Sequence, residues 1–332
     1  MKIVFYGVHS YDIEFFTRAN KNFGFECVFQ RAHLNIHTTA LAQGAEIVCL
    51  FVNDFADKKV IEEFSRIGVK LIALRCAGFN NVDLNAAAQY GIKVVRVPAY
   101  SPYAVAEHAC ALILTLNRKI HRAYLRTKDG NFSLHGLMGF DMHGKTAGII
   151  GTGKVAKKLI KILQGFDINV LAYDLYPDEE YAKNNNFRYT DLNEIFEKSD
   201  IISLHCPLTE DTTYIINENS IAKMKPGVMI INTGRGKLID SEALIEGLKQ
   251  HKIGAAGLDV YEEEANYFYD DNSDNIIDDD KLARLLSFNN VVITSHQAFF
   301  THEAVSNIAE RTLENVQEFI DGKPLSCEVK NI

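Results

Sequence analysis

Short apolar blocks bounded by turn residues punctuate this chain, and amphipathic stretches fill the intervals between them. In its first part the blocks fall at Lys2–Tyr6, Glu46–Val52, Lys70–Leu74 and Lys93–Val97. Helix-periodic segments lie near Tyr11–Asn20, Ala56–Gly68 and Leu84–Gly91. Continuous apolar runs of strand length mark strands covered on both faces. Their alternation with helices predicts a parallel sheet of the α/β class.

Ser101-Pro102 opens a longer helix, with serine suited to the N-cap and proline to the first helical position. Val105, Ala109, Leu112, Ile113 and Leu116 recur at helical spacing, and the helix is read as continuing to Arg122. Arg118, Lys119, His121 and Arg122 read as one solvated or interfacial face of it. An irregular connection over 129–143, with Gly136 and Gly139, leads to a second series of strands. These are Lys145–Ile150, Asn169–Tyr173, Asp200–His205, Gly227–Asn232, Ala255–Val260 and Asn290–Thr294. A closing helix, about His302–Asp321, carries the apolar stripe Val305, Ile308, Leu313, Val316 and Ile320. Following the last strand of the second series, it is expected to cross back to the first domain. The expected architecture is two doubly wound parallel-sheet domains with a cleft between them. A Rossmann nucleotide domain over 101–298 is inserted in a flavodoxin-like domain made of 1–100 plus 299–332.

The strand at Lys145–Ile150 runs into Gly151-Thr152-Gly153-Lys154-Val155-Ala156, then a helical run to about Gly165, then the strand ending at Tyr173-Asp174. This is glycine-x-glycine-x-x-glycine/alanine in strand–turn–helix–strand context, the fingerprint of a dinucleotide site. Gly151 allows the tight turn, Gly153 lets the backbone approach a pyrophosphate, and Ala156 permits close packing of helix on strand. The helix N-terminus offers free N–H groups and positive dipole. Asp174 stands where a carboxylate binds ribose hydroxyls. It repels a 2′-phosphate, and Leu175-Tyr176 offer no arginine to receive one, so the expected cofactor is NAD rather than NADP.

Composition narrows the partners. With 332 residues, 47% apolar and 23% charged, the chain has an ordinary globular balance and room for two domains. A net charge of −8 without a basic block argues against nucleic acid. No apolar run approaches membrane-span length, and Met1–Phe5 opens a strand rather than a signal peptide. Six cysteines without a Cys-x-x-Cys pair read as reduced thiols in a cytoplasmic protein with no metal site. Cys76 and Cys206 lie beside candidate site loops but read as small core residues. The acidic tract Asp270–Asp280 reads as a solvated insertion rather than a calcium loop.

Ligands of doubly wound sheets bind beyond the carboxyl ends of the strands. Arg235, the acidic loop after Tyr261, and His296 all follow such ends. An arginine can clamp a carboxylate through paired charge-assisted bonds. A histidine can give a proton to a carbonyl oxygen as hydride reaches the carbon, and a neighbouring carboxylate favours its protonated form. The set suits reversible reduction of a 2-keto acid. On the residues alone, Glu262, Glu263 and Glu264 are equal candidates for that carboxylate. His205 reads equally as a cofactor contact or a satisfied strand end.

The chain resembles the D-specific 2-hydroxyacid dehydrogenases, most closely their fermentative bacterial members, over nearly its full length. The stretches that carry the resemblance are Leu74–Asp83, Val97–Pro102, the fingerprint, Leu204–Thr209, Asn232–Gly236, Gly257–Glu262 and Ser295–Phe299. The resemblance implies that Arg235 binds the substrate carboxylate, that His296 is proton donor and acceptor, and that Glu264 is its partner. It implies that Cys76, Ala77 and Gly78 offer backbone N–H groups to the substrate. It also implies that Tyr100 approaches the site, and that Phe299 and the neighbourhood of Phe51 wall a small pocket. Lys154 and Val155 are expected over the pyrophosphate, Cys206, Pro207 and Thr212 along the adenosine, and Thr233 and Asp259 near the nicotinamide. Gly234 stands where the family often has serine or alanine. The implied reaction is NADH-linked reduction of pyruvate to D-lactate, with larger 2-keto acids as the alternative substrates. A redox-sensing binding protein on the same fold is the alternative of another class, disfavoured by the intact triad. A homodimer is expected because the Ser101–Arg122 helix is too apolar to face water.

Overall fold

The computed structural model of the chain describes residues 1–264, 267–269 and 271–330. The chain forms two compact units, Met1–Ser101 together with Phe300 onward, and Pro102–Phe299.

The first unit holds strands β1 (Lys2–Phe5), β2 (Glu26–Phe29), β3 (Ile47–Leu50), β4 (Leu71–Leu74) and β5 (Lys93–Val95). They form a parallel sheet in the order β2-β1-β3-β4-β5, the flavodoxin-like arrangement. β3 and β4 are buried at every residue, as befits uninterrupted apolar runs in mid-sheet. β2 is absent from the sequence-based expectation, because Glu26-Cys27-Val28-Phe29 is a short, half-covered edge with a charged start. Helices α1 (Ser10–Asn20), α2 (Lys58–Ile67) and α3 (Leu84–Gln89) connect the strands. α2 shows why its ends fall where they do: Asp57 accepts the Val60 N–H, and Gly68 closes the helix at φ 96°. The C-terminal helix, His302–Ile320, packs against α1 and β4 through Val305, Ile308, Leu313 and Val316. The tail then runs antiparallel beside β5, with Val329 N–H donating to Val94 and Arg96 N–H to Cys327.

The second unit opens with α4 (Pro102–Arg118) and α5 (Ile120–Lys128). The continuous helix expected to Arg122 is broken at Lys119, which sits in the left-handed region at φ 50°. The reason is a docking segment that the periodicity could not reveal. Buried Asn117 accepts the Phe140 N–H and donates to the Phe140 carbonyl, both at 2.8 Å. Lys119 Nζ donates to the Met138 carbonyl at 2.6 Å. The basic residues at 118–122 therefore straddle a break and form no single helical face. Nor is the apolar stripe of α4 left bare: Ala109, Leu112, Ile113 and Leu116 are buried in the unit's own core.

Strands β6 (Thr146–Ile150), β7 (Asn169–Tyr173), β8 (Arg188–Tyr189), β9 (Ile201–Leu204), β10 (Val228–Asn232), β11 (Ile253–Leu258) and β12 (Val291–Ile293) follow. All pair parallel in the order β12-β11-β10-β9-β6-β7-β8, a Rossmann order whose direction reverses between β6 and β9. The two-residue β8 was not expected, being too short to show a period. α4 and α6 (Lys154–Gln164) cover one face, with Leu159, Ile160 and Leu163 in the core. α7 (Glu179–Asn184) lies beside β8. The other face is covered by α8 (Leu192–Lys198), α9 (Glu218–Lys223), α10 (Ser241–Lys249) and α11 (Asp280–Leu286), which contribute Ile195, Ile221, Leu244 and Leu285.

Candidate active site

Where β6 ends, Gly151 turns the chain at φ 89°. A Cβ there would stand 2.5 Å from the Cys206 nitrogen and 2.6 Å from the His205 carbonyl carbon, so only glycine lets the turn lie against the end of β9. Gly153 is the N-cap of α6 and leaves the helix without a side-chain cap, with open space beside its α-carbon. Lys154 and Val155 are the first residues of α6, so uncapped N–H groups and the helix dipole meet at one point. Such a terminus accepts a phosphate without rearrangement.

Asp174, just past β7, is held by three donors. Thr152 gives its N–H at 2.6 Å and its hydroxyl at 2.8 Å to Oδ2, and the Tyr176 N–H reaches Oδ1 at 2.9 Å. Burial opposes the anion, but these bonds outweigh it and hold the carboxyl below its usual range. The Tyr189 hydroxyl lies 2.9 Å from Thr152 Oγ1, bracing the arrangement from β8. Thr152 and Tyr189 were not foreseen, since the fingerprint leaves its middle position unspecified.

At the end of β9, His205 Nε2 bonds Ser203 Oγ at 2.8 Å, and burial lowers its pKa to about 4. The Ser203 bond gives the ring a partner at the strand end. Burial pushes the Cys206 thiol up to about 11, which leaves no reactive thiolate at neutrality. The Thr212 hydroxyl donates to the Pro207 carbonyl at 2.7 Å and so shapes its own loop. After β10, Thr233 Oγ1 is buried without a hydrogen-bond partner, a position that asks for a polar group. The residues thus fit a dinucleotide: an uncapped helix terminus, an anchored anion and an orphaned hydroxyl.

Arg235, Asp259 and His296 follow the adjacent strands β10, β11 and β12. The Arg235 turn is tied down by Asn232, whose Oδ1 accepts the Gly234 N–H and whose Nδ2 donates to the Arg235 carbonyl. A Cβ on Gly236 would lie 2.1 Å from the Tyr261 carbonyl, so this glycine lets the arginine turn press on the acidic loop. In that loop Glu264 Oε1 lies 2.8 Å from His296 Nδ1, and Oε2 accepts the Tyr261 N–H at 3.0 Å. Glu262 is engaged elsewhere, with the Ser241 N–H and the Tyr214 hydroxyl, and Glu263 faces Lys237 at 3.9 Å. Geometry therefore pairs His296 with Glu264, the glutamate that only the resemblance had set apart from its two neighbours. His296 itself sits at φ 49°. Fully buried Asp259 accepts the Gln297 and Ala298 N–H groups, and its carbonyl accepts that of His296. Burial raises the Asp259 pKa, but its donors and the charge of His296 bring it below the usual range. Tyr269, which no sequence pattern flagged, donates its hydroxyl to the His296 carbonyl at 3.2 Å.

Residues 110–298 match the family model described as D-isomer specific 2-hydroxyacid dehydrogenase, NAD binding domain. The chain belongs to the D-isomer specific 2-hydroxyacid dehydrogenases. This dehydrogenase is 52% identical to the D-lactate dehydrogenase of Escherichia coli strain K12 over 99% of this chain and 100% of that one. It superposes on the apo-structure of D-lactate dehydrogenase from Escherichia coli with a TM-score of 0.91, at 50% identity and 99% and 100% coverage. The pyruvate reductase of Chlamydomonas reinhardtii gives a TM-score of 0.93 at 43% identity, covering 98% of each chain. As a family member the dehydrogenase is an NAD-dependent oxidoreductase, and both expected parallel-sheet folds are present.

In the first unit, the carbonyls of Cys76, Ala77 and Gly78 all accept bonds, from the Val97 N–H, from Arg96 and from the Cys76 thiol. Phe51 is buried, and the Arg75 guanidinium lies 5.0 Å from its ring centre. The Tyr100 carbonyl accepts Asn307 Nδ2 at 2.7 Å. In the second unit Phe299 is buried at 7% exposure. Of the acidic tract 270–280, Asp270 lies outside the described residues, and Tyr261 and the α11 N-terminus engage Asp279. Among the described residues, no cluster of histidine, cysteine, aspartate or glutamate could hold a metal, and no helix is long and apolar enough to cross a membrane.

Proposed function

We propose that the chain is an NAD-dependent D-lactate dehydrogenase that reversibly reduces pyruvate. One observation carries the site reading: a histidine past β12 with Nδ1 fixed by a glutamate, one strand beyond Asp259 and two beyond the arginine turn. Full-length similarity to proteins named D-lactate dehydrogenase supports the substrate. NADH, when bound, supplies the hydride. Arg235 binds the substrate carboxylate with its planar fork and draws on the adjacent carbonyl. Glu264 holds Nδ1 in its protonated form, which leaves Nε2 to give the proton to the carbonyl oxygen and to take it back in reverse. The N–H groups of Cys76, Ala77 and Gly78 and the Tyr100 side chain complete carboxylate binding, and Phe51 and Phe299 set a bulky limit on the substrate side chain. Lys154 and Val155 take the pyrophosphate, Asp174 the ribose, Cys206, Pro207 and Thr212 the adenosine, and Thr233, Gly234 and Asp259 the nicotinamide half. On this reading 1–100 plus 299–332 is the substrate-binding part.

A keto-acid panel with NADH and chiral analysis of the product tests the reading. D-Lactate from pyruvate, with kcat/KM falling as the keto acid lengthens, is expected; L-lactate or no lactate rejects it. The working form is a homodimer in the cytoplasm. Support for the dimer shifts from α4 to α5, none of whose residues is buried, and to exposed Phe132, Leu134 and Met138. Light scattering that gives a monomer at micromolar concentration rejects the dimer. Six free cysteines suit a reducing compartment.

A further inference from the structure

One polar side chain close to this machinery has no task in the mechanism. His108, half-buried on α4, places Nε2 3.0 Å from Thr294 Oγ1 and 3.4 Å from Asp259 Oδ1. Thr294 Oγ1 in turn lies 2.5 Å from that same Asp259 oxygen.

Donor and acceptor capacity fixes the direction of these bonds. An ionised carboxylate only accepts, so Thr294 must turn its proton to Asp259. The threonine oxygen then faces His108 with a lone pair, and His108 must present an N–H at Nε2. The result is a one-way chain in which His108 donates to Thr294 and Thr294 donates to Asp259. At its far end Asp259 accepts the N–H groups of Gln297 and Ala298, directly after His296.

The turn needs such a hold. His296 occupies the left-handed region at φ 49°, where a side chain other than glycine is strained and persists only if its surroundings insist. α4 is a firm base for that hold, since Ala109, Leu112 and Ile113 around His108 are core residues. Packing alone would favour an apolar residue at 108, because a polar ring taken from water costs stability unless it is hydrogen-bonded.

We propose that His108 is a positioning residue for the reaction: through Thr294 and Asp259 it sets the turn that aims His296. The inference rests on the reading of His296 as the acid–base group. Orienting partners behind a reacting group commonly matter by one to two powers of ten, as they do behind metal-ligating histidines.

The test uses the full-length enzyme with NADH and pyruvate. His108→Leu should lower kcat about 10- to 100-fold, while the NADH dissociation constant, read by fluorescence quenching, stays within about twofold. His108→Gln, which restores an N–H donor, should recover most of the loss. Thr294→Val should fall by a similar factor, and the His108→Leu/Thr294→Val double variant should lose little more than the worse single one, as links of one chain do. Wild-type kcat in His108→Leu overturns the proposal. So does an equal loss in the Leu and Gln variants, or strict additivity with Thr294→Val, either of which marks a merely structural role. His296→Ala separates the two levels: wild-type turnover there removes the acid–base reading itself. An inactive His296→Ala beside a fully active His108→Leu removes only this inference.

Discussion

His296 Nδ1 and Glu264 Oε1 stand 2.8 Å apart, and the second oxygen of the same carboxylate is held by the Tyr261 N–H. A carboxylate tied at both oxygens cannot swing away, so the imidazole is fixed in tautomer as well as in direction. His296→Ala should therefore lower kcat by about 10²–10⁴, the usual worth of a general acid. Glu264→Gln keeps the shape and loses the charge, and its deficit should be smaller. Steady-state turnover at saturating substrate is the measurement, and a Glu264→Gln loss exceeding that of His296→Ala contradicts the assignment.

Arg235→Lys keeps the charge and forfeits the fork. KM for the keto acid should rise about 10-fold or more, because a lysine cannot make two parallel bonds to a carboxylate. The NADH dissociation constant should not follow. A variant whose KM matches the parent would place the carboxylate somewhere else.

Gly236→Ala tests the contact between the arginine turn and the acidic loop. Its new methyl group would meet the Tyr261 carbonyl at 2.1 Å, backbone against backbone, with no flexible side chain to yield. A loss of about 1–3 kcal/mol in stability is expected from such crowding, together with reduced turnover as the Glu264 loop shifts. Denaturant titration and kinetics on one preparation check both; unchanged stability would mean that the loop has room to retreat.

The acid limb of stability should carry the signature of His205. Burial lowers its pKa from 6.5 to about 4, so the unfolded chain binds a proton that the folded one refuses between those values. The contribution is whole above the unfolded pKa and is lost as pH falls through that window. His205→Gln should flatten the fall in melting temperature over the same range. Parallel curves for parent and variant would contradict it.

Much of the architecture was legible because the central strands speak plainly. Ile47–Leu50 and Leu71–Leu74 are unbroken apolar runs, and the glycine turn after Ile150 sits between a strand and a helix as its chemistry demands. Edges were less legible, since β2 is half-covered and opens on a charged residue, and β8 has only two residues. The break at Lys119 was hidden for another reason: it depends on Asn117 reaching a loop segment that periodicity does not describe. The same holds in the site. Arginine and histidine announced themselves at strand ends, whereas the residues alone leave Glu262, Glu263 and Glu264 equal; only the resemblance points to Glu264, and the hydrogen bonds pair that residue with His296. Tyr269 and Thr152 act by backbone contacts or through another side chain, which leaves no mark in spacing.

The last helix completes the first sheet unit, and that has a bearing on biosynthesis. While the ribosome is still translating, the N-terminal segment lacks the partner for α1 and β4 and the tail that lies beside β5. The middle segment carries all seven of its strands and can mature as soon as it leaves the exit tunnel. The middle segment can thus finish before the N-terminal one, which leaves the edge of β5 open to wrong partners until the segment around Cys327–Val329 emerges.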